Sequence, residues 1–181
     1  MGIYFNPNHT DFYNAVNHSQ IYVDKTELIQ YTNSVLFGEQ KYICVSRPRR
    51  FGKSMAANML TAYYSRGCDS RKLFQGLKIA THPDFEKHLN QYNVIHLNMQ
   101  SFLSKTQTIE QMIALVTKAV GRDLLRIYPD IDYLDKSILT FMLDDVYQNY
   151  QVPFIFIIDD GIAFSVIGRI SSKNRQNTWT F

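Results

Sequence analysis

The chain has 181 residues, 45% hydrophobic and 19% charged, which is the balance of a folded domain and excludes collagen-like, coiled-coil and disordered chains. The net charge of +3 comes from Arg169, Lys173 and Arg175 near the end; the first 160 residues carry 16 basic and 16 acidic side chains, so no global basic field points to nucleic acid. The longest apolar run, Phe154 to Ile158, is far too short to span a membrane.

The first ten residues lack a basic stretch followed by an apolar one, so no signal peptide is expected and the location expected by default is cytoplasmic. Cys44 and Cys68 have no CxxC partners, which argues against a disulfide scaffold or a cysteine zinc site. Cys44 reads as a small buried hydrophobe.

In chain order, a short extended piece at Ile21-Tyr22-Val23 precedes a helix near Thr26 to Tyr31. Lys41 to Ser46 reads as a short buried strand, Pro48 marks a loop, and Lys53 to Ser65 reads as a helix stopped near Gly67. A helix follows Pro83, and Asn93 to Met99 alternates as a second strand. Ile109, Ile113, Val116, Val120, Leu124 and Ile127 recur at helical spacing within residues 106–127. A further helix covers 133–149, and Val152 to Asp159 is a continuous apolar strand of the kind buried on both faces. Alternating strands and helices predict an α/β sandwich with a mostly parallel sheet.

The loop after the first strand reads Arg47-Pro48-Arg49-Arg50-Phe51-Gly52-Lys53-Ser54. It fits GxxxxGK[ST], with Arg47 in the place of the first glycine. Glycine at 52 lets the backbone approach phosphate oxygens, and the helix N-terminus that follows favours an anion. Lys53 can reach the β- and γ-phosphates of ATP, and the Ser54 hydroxyl can ligate Mg²⁺. The expected nucleotide-contacting stretch is therefore Arg49, Arg50, Phe51, Gly52, Lys53, Ser54 and Met55. Arg47, Arg49 and Arg50 serve equally well as ion-pair partners or as contacts to a polyanion; nucleic acid is possible on this account but no recognition motif supports it.

The apolar run ending in Asp159-Asp160 is a Walker B pattern. A buried strand there carries a carboxylate to the ligand-binding edge of the sheet, with Asp159 as a Mg²⁺ ligand beside Ser54. Asp160, with Lys53, is the catalytic candidate: it stands where a general base would activate water, on a side chain one methylene shorter than the usual Glu. His96 reads as a core or edge histidine rather than a ligand. Asp24 and Lys25 are further candidates to approach the nucleotide.

The segments IYVDKTELI (21–29), SRPRRFGKS (46–54), KLFQGLKI (72–79) and VIHLNM (94–99) together resemble the AAA-ATPase-like family. The resemblance covers residues 3–160, and Arg47 in place of glycine is the family's own habit. It implies an α/β fold of the P-loop NTPase-like kind, a three-layer sandwich with a mostly parallel sheet, incomplete here at the C-terminus. That fold would form an ATP·Mg²⁺-binding P-loop domain over 1–160, with a PD-(D/E)XK nuclease-like domain following it in intact relatives. Beyond Asp160 the chain departs from the family. Read one base out of register, residues 161–181 are compatible with a family-like Trp-Asp-Cys and a later Lys-Tyr-Leu-Asp-Phe. The expectation is a truncated chain with an out-of-frame tail at 161–181 outside any domain, in which hydrolysis is doubtful and apolar groups such as Ile155 and Ile157 are left uncovered. The alternative reading is a non-catalytic fragment or interaction module.

Overall fold

A computed structural model describes residues 1–46, 48, 50–159 and 163–167, the last five as backbone. Two short helices come first, α1 (Thr10–His18) and α2 (Glu27–Val35). The first strand, β1, is only Tyr42–Ile43, and α3 (Lys53–Tyr64) follows it across the phosphate loop. Between α3 and the next strand lie α4 (Arg71–Phe74), a 3-10 turn (Lys78–Thr81) and α5 (Phe85–His88). Then come β2 (Asn93–Asn98), α6 (Met99–Leu103), α7 (Ile109–Ile127), α8 (Leu139–Tyr150), β3 (Phe154–Asp159) and β4 (Ala163–Ile167).

The sheet order is β1-β4-β3-β2. β2 and β3 are parallel and in register along their length, from Asn93 opposite Phe154 to Asn98 opposite Asp159. β4 runs antiparallel to both β3 and β1. The sheet is thus mixed, and the expected mostly parallel sheet is corrected. Only residues 160–162 separate β3 from β4, too few for the crossover that a parallel neighbour requires.

Strand alternation sends each side of the β2–β3 pair into a different core. On one side Val94, Ile155 and Ile157 pack with α3 and with Phe12, Ile29, Phe74 and Phe85. On the other, Ile95, Leu97 and Phe154 pack with Phe5 and with Val120, Leu124, Met142 and Val146 of α7 and α8. Helices on both faces of a small sheet make an α/β architecture. Ile155 and Ile157 are 0% and 2% exposed, so the expectation that they would be uncovered is overturned: α3 covers them.

Two further expectations are revised. The first strand is short, as expected, but covers Tyr42–Ile43 rather than 41–46 and is not buried. Tyr42 is 61% exposed and Cys44 is exposed rather than packed, because β1 stands at the sheet edge and joins it only through β4. On α7, Val120 and Leu124 are buried as the periodicity predicts, but Ile109 and Ile113 are exposed. The first half of α7 meets the core instead through Met112, Leu115 and Val116, which are partly buried against it. Among the described residues no helix is long and apolar enough to cross a membrane.

Candidate functional site

The phosphate loop enters α3 through two left-handed residues. Arg50 has φ 68° and Gly52 has φ 79°. Gly52 takes that conformation without a steric cost, whereas Arg50 holds it against its own Cβ, at a cost of about 1 kcal/mol or more. Gly52 is the N-cap of α3, and its carbonyl accepts the first helical hydrogen bond from the Ala56 N–H at 3.0 Å. A glycine has no side chain with which to cap the first-turn N–H groups, so these are presented to whatever lies beyond the helix end. The first turn contains no acid and begins instead with Lys53. A cation at a helix N-terminus opposes the macrodipole, an arrangement that a bound anion would relieve.

Beside this turn is a cavity of about 450 Å³. One wall is the extended segment Ile21-Tyr22-Val23, the other is Phe51, Met55 and Met59. Ile21, Val23 and Phe51 are 84%, 64% and 61% exposed, so three large apolar side chains ring one concave surface while facing water. Its charged members are Lys25 and Arg50. Burial and the neighbouring Asp24 push the Tyr22 hydroxyl up to about 12, so the ring lines the cavity as a neutral phenol.

A second polar column faces the sheet. Ser54, Asn58 and Thr61 are spaced four and three apart on α3 and share one face. The Thr61 hydroxyl lies 3.1 Å from His96 Nδ1 on β2, which fixes that face toward the β2–β3 pair. His96, Asn98 and Asp159 continue the alternation of Val94, Ile155 and Ile157, so they end the α3-facing side of the sheet. Asp159 is 7% exposed, at the C-terminal end of β3. Burial holds His96 below the ordinary histidine range, partly offset by the carboxylates of Asp159 and Asp11. A smaller cavity of about 290 Å³ opens here, lined by Asn58, Thr61, His96, His9 and Asp11 among others.

The structure therefore brings together Arg50, Phe51, Gly52 and Met55 around one cavity, with Lys53 and Ser54 opening α3 beside it. Asp159 lies at the sheet end facing the same helix. Arg47, Arg49 and Asp160 lie outside the described residues. Of the pair Asp24 and Lys25, only Lys25 reaches the cavity. Asp24 is a structural turn: it accepts the Thr26 N–H at 2.8 Å, the Thr26 hydroxyl at 2.7 Å and the Lys78 N–H at 2.8 Å. Partial burial alone would raise the Asp24 pKa, but the Lys78 and Thr26 hydrogen bonds hold it below the ordinary carboxylate value. Ile21, Val23 and Met59 were not foreseen as site residues. Nothing in their residue types distinguishes them from core: Ile21 and Val23 are revealed by their exposure beside the loop, and Met59, itself buried, only by its place in the cavity lining.

Among the described residues no group of three or more His, Cys, Asp or Glu side chains is placed to hold a metal ion. No curated protein and no solved structure matches the chain. The model of the family described as Predicted AAA-ATPase matches residues 8–176, spanning the glycine-lysine-serine turn, the cavity beside it and the acidic strand end, and the chain belongs to that AAA-ATPase-like family.

Proposed function

We propose that this chain binds ATP with Mg²⁺ and is the nucleotide-binding part of an AAA-like ATPase. The observation that carries the reading is the left-handed Gly52 opening α3 with Lys53 and Ser54, beside a cavity large enough for a nucleoside. The phosphates would lie at the α3 N-terminus, with Lys53 on the β- and γ-phosphates and the base against Tyr22, Met55 and Met59. Mg²⁺ arrives with the nucleotide and needs only one or two protein ligands, so the lack of a three-residue cluster is no obstacle. Ser54 and Asp159 fit that role, one a hydroxyl and one a carboxylate, on facing sides of the α3–sheet interface. Hydrolysis is a separate step, which rests on Asp160 activating water.

Calorimetric titration of the full chain with ATP, with and without Mg²⁺, tests the reading. Lys53→Ala removes a charge-assisted contact of about 1.5–3 kcal/mol and is expected to weaken ATP binding about ten- to a hundredfold. Asp159→Asn is expected to lose the Mg²⁺ enhancement while keeping metal-free binding. A folded wild-type chain that takes up no ATP, or a Lys53→Ala variant that binds it as well as wild type, overturns the proposal. Phosphate release, absent in Asp160→Asn, is the expected sign of turnover.

A further inference from the structure

We propose that Lys25 is a second phosphate-binding cation, supplied to the nucleotide site from the segment before α2 rather than from the phosphate loop. The inference rests on the nucleotide reading above and adds a residue to it.

Position comes first. The Lys25 ammonium lies 3.6 Å from where a Cβ on Gly52 would sit. It therefore stands over the bare side of the glycine that opens α3, where the loop lets a ligand approach the backbone. Lys25 also lines the 450 Å³ cavity together with Arg50 and Gly52.

Charge comes second. Lys25 has acids close by in sequence, Asp24 and Glu27, which would ordinarily neutralise it. Both are committed to Lys78. Asp24 accepts the Lys78 backbone N–H, and Glu27 pairs with the Lys78 ammonium at 3.0 Å. Among the described residues no carboxylate pairs with Lys25. The cation is thus placed at a helix N-terminus and beside Arg50, where like charges repel. Such a cluster is stabilised by a polyanion.

Third, the stem is held. The Asp24–Thr26 turn is tied to the 3-10 turn by the Lys78 N–H and by the Ile79 N–H, which donates to the Thr26 hydroxyl at 3.1 Å. Thr26 and Ile29 are fully buried. The backbone that carries Lys25 is therefore fixed relative to the core, and its reach to Gly52 is preorganised rather than searched for.

A lysine over the loop contacts phosphate and not the base, so its effect depends on the ligand having phosphates. The test is calorimetric titration of wild type, Lys25→Met, Lys25→Arg and Lys53→Ala with ATP, inorganic tripolyphosphate and adenosine. Lys25→Met is expected to weaken ATP and tripolyphosphate about tenfold and leave adenosine unchanged, with Lys25→Arg recovering most of the loss. Lys25 is exposed, so the Met variant should keep the wild-type thermal unfolding curve. Unchanged ATP affinity in Lys25→Met, while Lys53→Ala loses it, overturns this inference and leaves the nucleotide reading intact. Equal weakening of adenosine and ATP overturns the phosphate assignment. A wild-type chain that binds neither ATP nor tripolyphosphate overturns both readings.

Discussion

The two faces of the β2–β3 pair are built from alternate residues of the same twelve positions, yet they end differently. Toward α7 and α8 the side chains are Ile95, Leu97, Phe154 and Phe156. The polar residue that begins this side, Asn93, is buried and accepts hydrogen bonds from Asn6 Nδ2 at 3.0 Å and the Tyr128 hydroxyl at 3.3 Å. Toward α3 the side chains start as Val94, Ile155 and Ile157 and finish as His96, Asn98 and Asp159. One face closes a core. The other is core at its N-terminal end and polar where the parallel strands emerge, which is where ligands sit in α/β sheets. α3 repeats the gradient in reverse, its first turn largely exposed and its last six residues all buried. Stability and chemistry are thus separated along one helix–sheet interface, and each can be attacked alone.

The largest effect should come from the apolar face. Phe154 is 1% exposed, with its ring centroid 6.0 Å from that of Phe5. Phe154→Ala is expected to cost about 3–5 kcal/mol in urea unfolding. If the faces are independent, the protein that remains folded keeps wild-type ATP affinity; a proportional fall in affinity would show that the two faces act as one.

Asp123 should come next. It lies on α7, is 1% exposed, and its Oδ2 accepts the N–H groups of Ile3 and Tyr4 at 2.7 Å each and of Phe5 at 3.3 Å. That carboxylate fastens the N-terminal segment, and with it Phe5, over the apolar core. Asp123→Ala leaves those donors without their acceptor, at an expected cost of about 2–3 kcal/mol. Faster amide exchange at residues 3–5 would locate the loss; exchange unchanged from wild type would mean the segment is held by packing alone.

Asp123 also marks the limit of what could be read from the chain. Periodicity found α7 and its seam because Val120 and Leu124 repeat at helical spacing, but a single Asp among them looks like any solvated position. Its burial depends on three N–H groups 118 to 120 residues away. β2 was legible from its alternation and β3 from its continuous apolar run, each of strand length. β4 was not, since residues 161–181 were set aside as a tail, and its antiparallel pairing turns a parallel expectation into a mixed sheet. β1 was overestimated because KYICVS is apolar enough for a buried strand, while its actual depth depends on which strand stands beside it. At the site, Gly52-Lys53-Ser54 was plain from spacing. Lys25 could be raised as a candidate but not separated from Asp24, since adjacent residues point apart and only the Lys78 contacts show which of them is committed elsewhere.

The smallest effect, and the one that sharpens the comparison most, is acid sensitivity on the α3 side. His96 is held below the ordinary value of 6.5, first by burial, against the pull of Asp159 and Asp11. His88, hydrogen-bonded to the Tyr92 hydroxyl at 2.5 Å, is also held low, by burial and then by Lys87, with Asp84 opposing. A histidine whose folded value is depressed stays neutral in the folded chain after the unfolded chain has taken up its proton. The unfolded state therefore binds more protons near and below pH 6.5, and stability falls as pH drops through that value. Both histidines belong to the α3 half of the molecule, whereas the core around α7 and α8 holds no buried histidine among the described residues. Urea midpoints measured from pH 7.5 down to 5.5, above the range where carboxylates protonate, should decline in wild type. The decline should lessen in His96→Leu and lessen again when His88→Gln is added. His96→Leu simply extends the apolar column of Val94, so it should not lower the unfolding free energy at pH 7.5 by more than the loss of one hydrogen bond to Thr61, about 1 kcal/mol. A decline of undiminished slope in the double variant would place the acid-sensitive groups elsewhere and remove this distinction between the two faces.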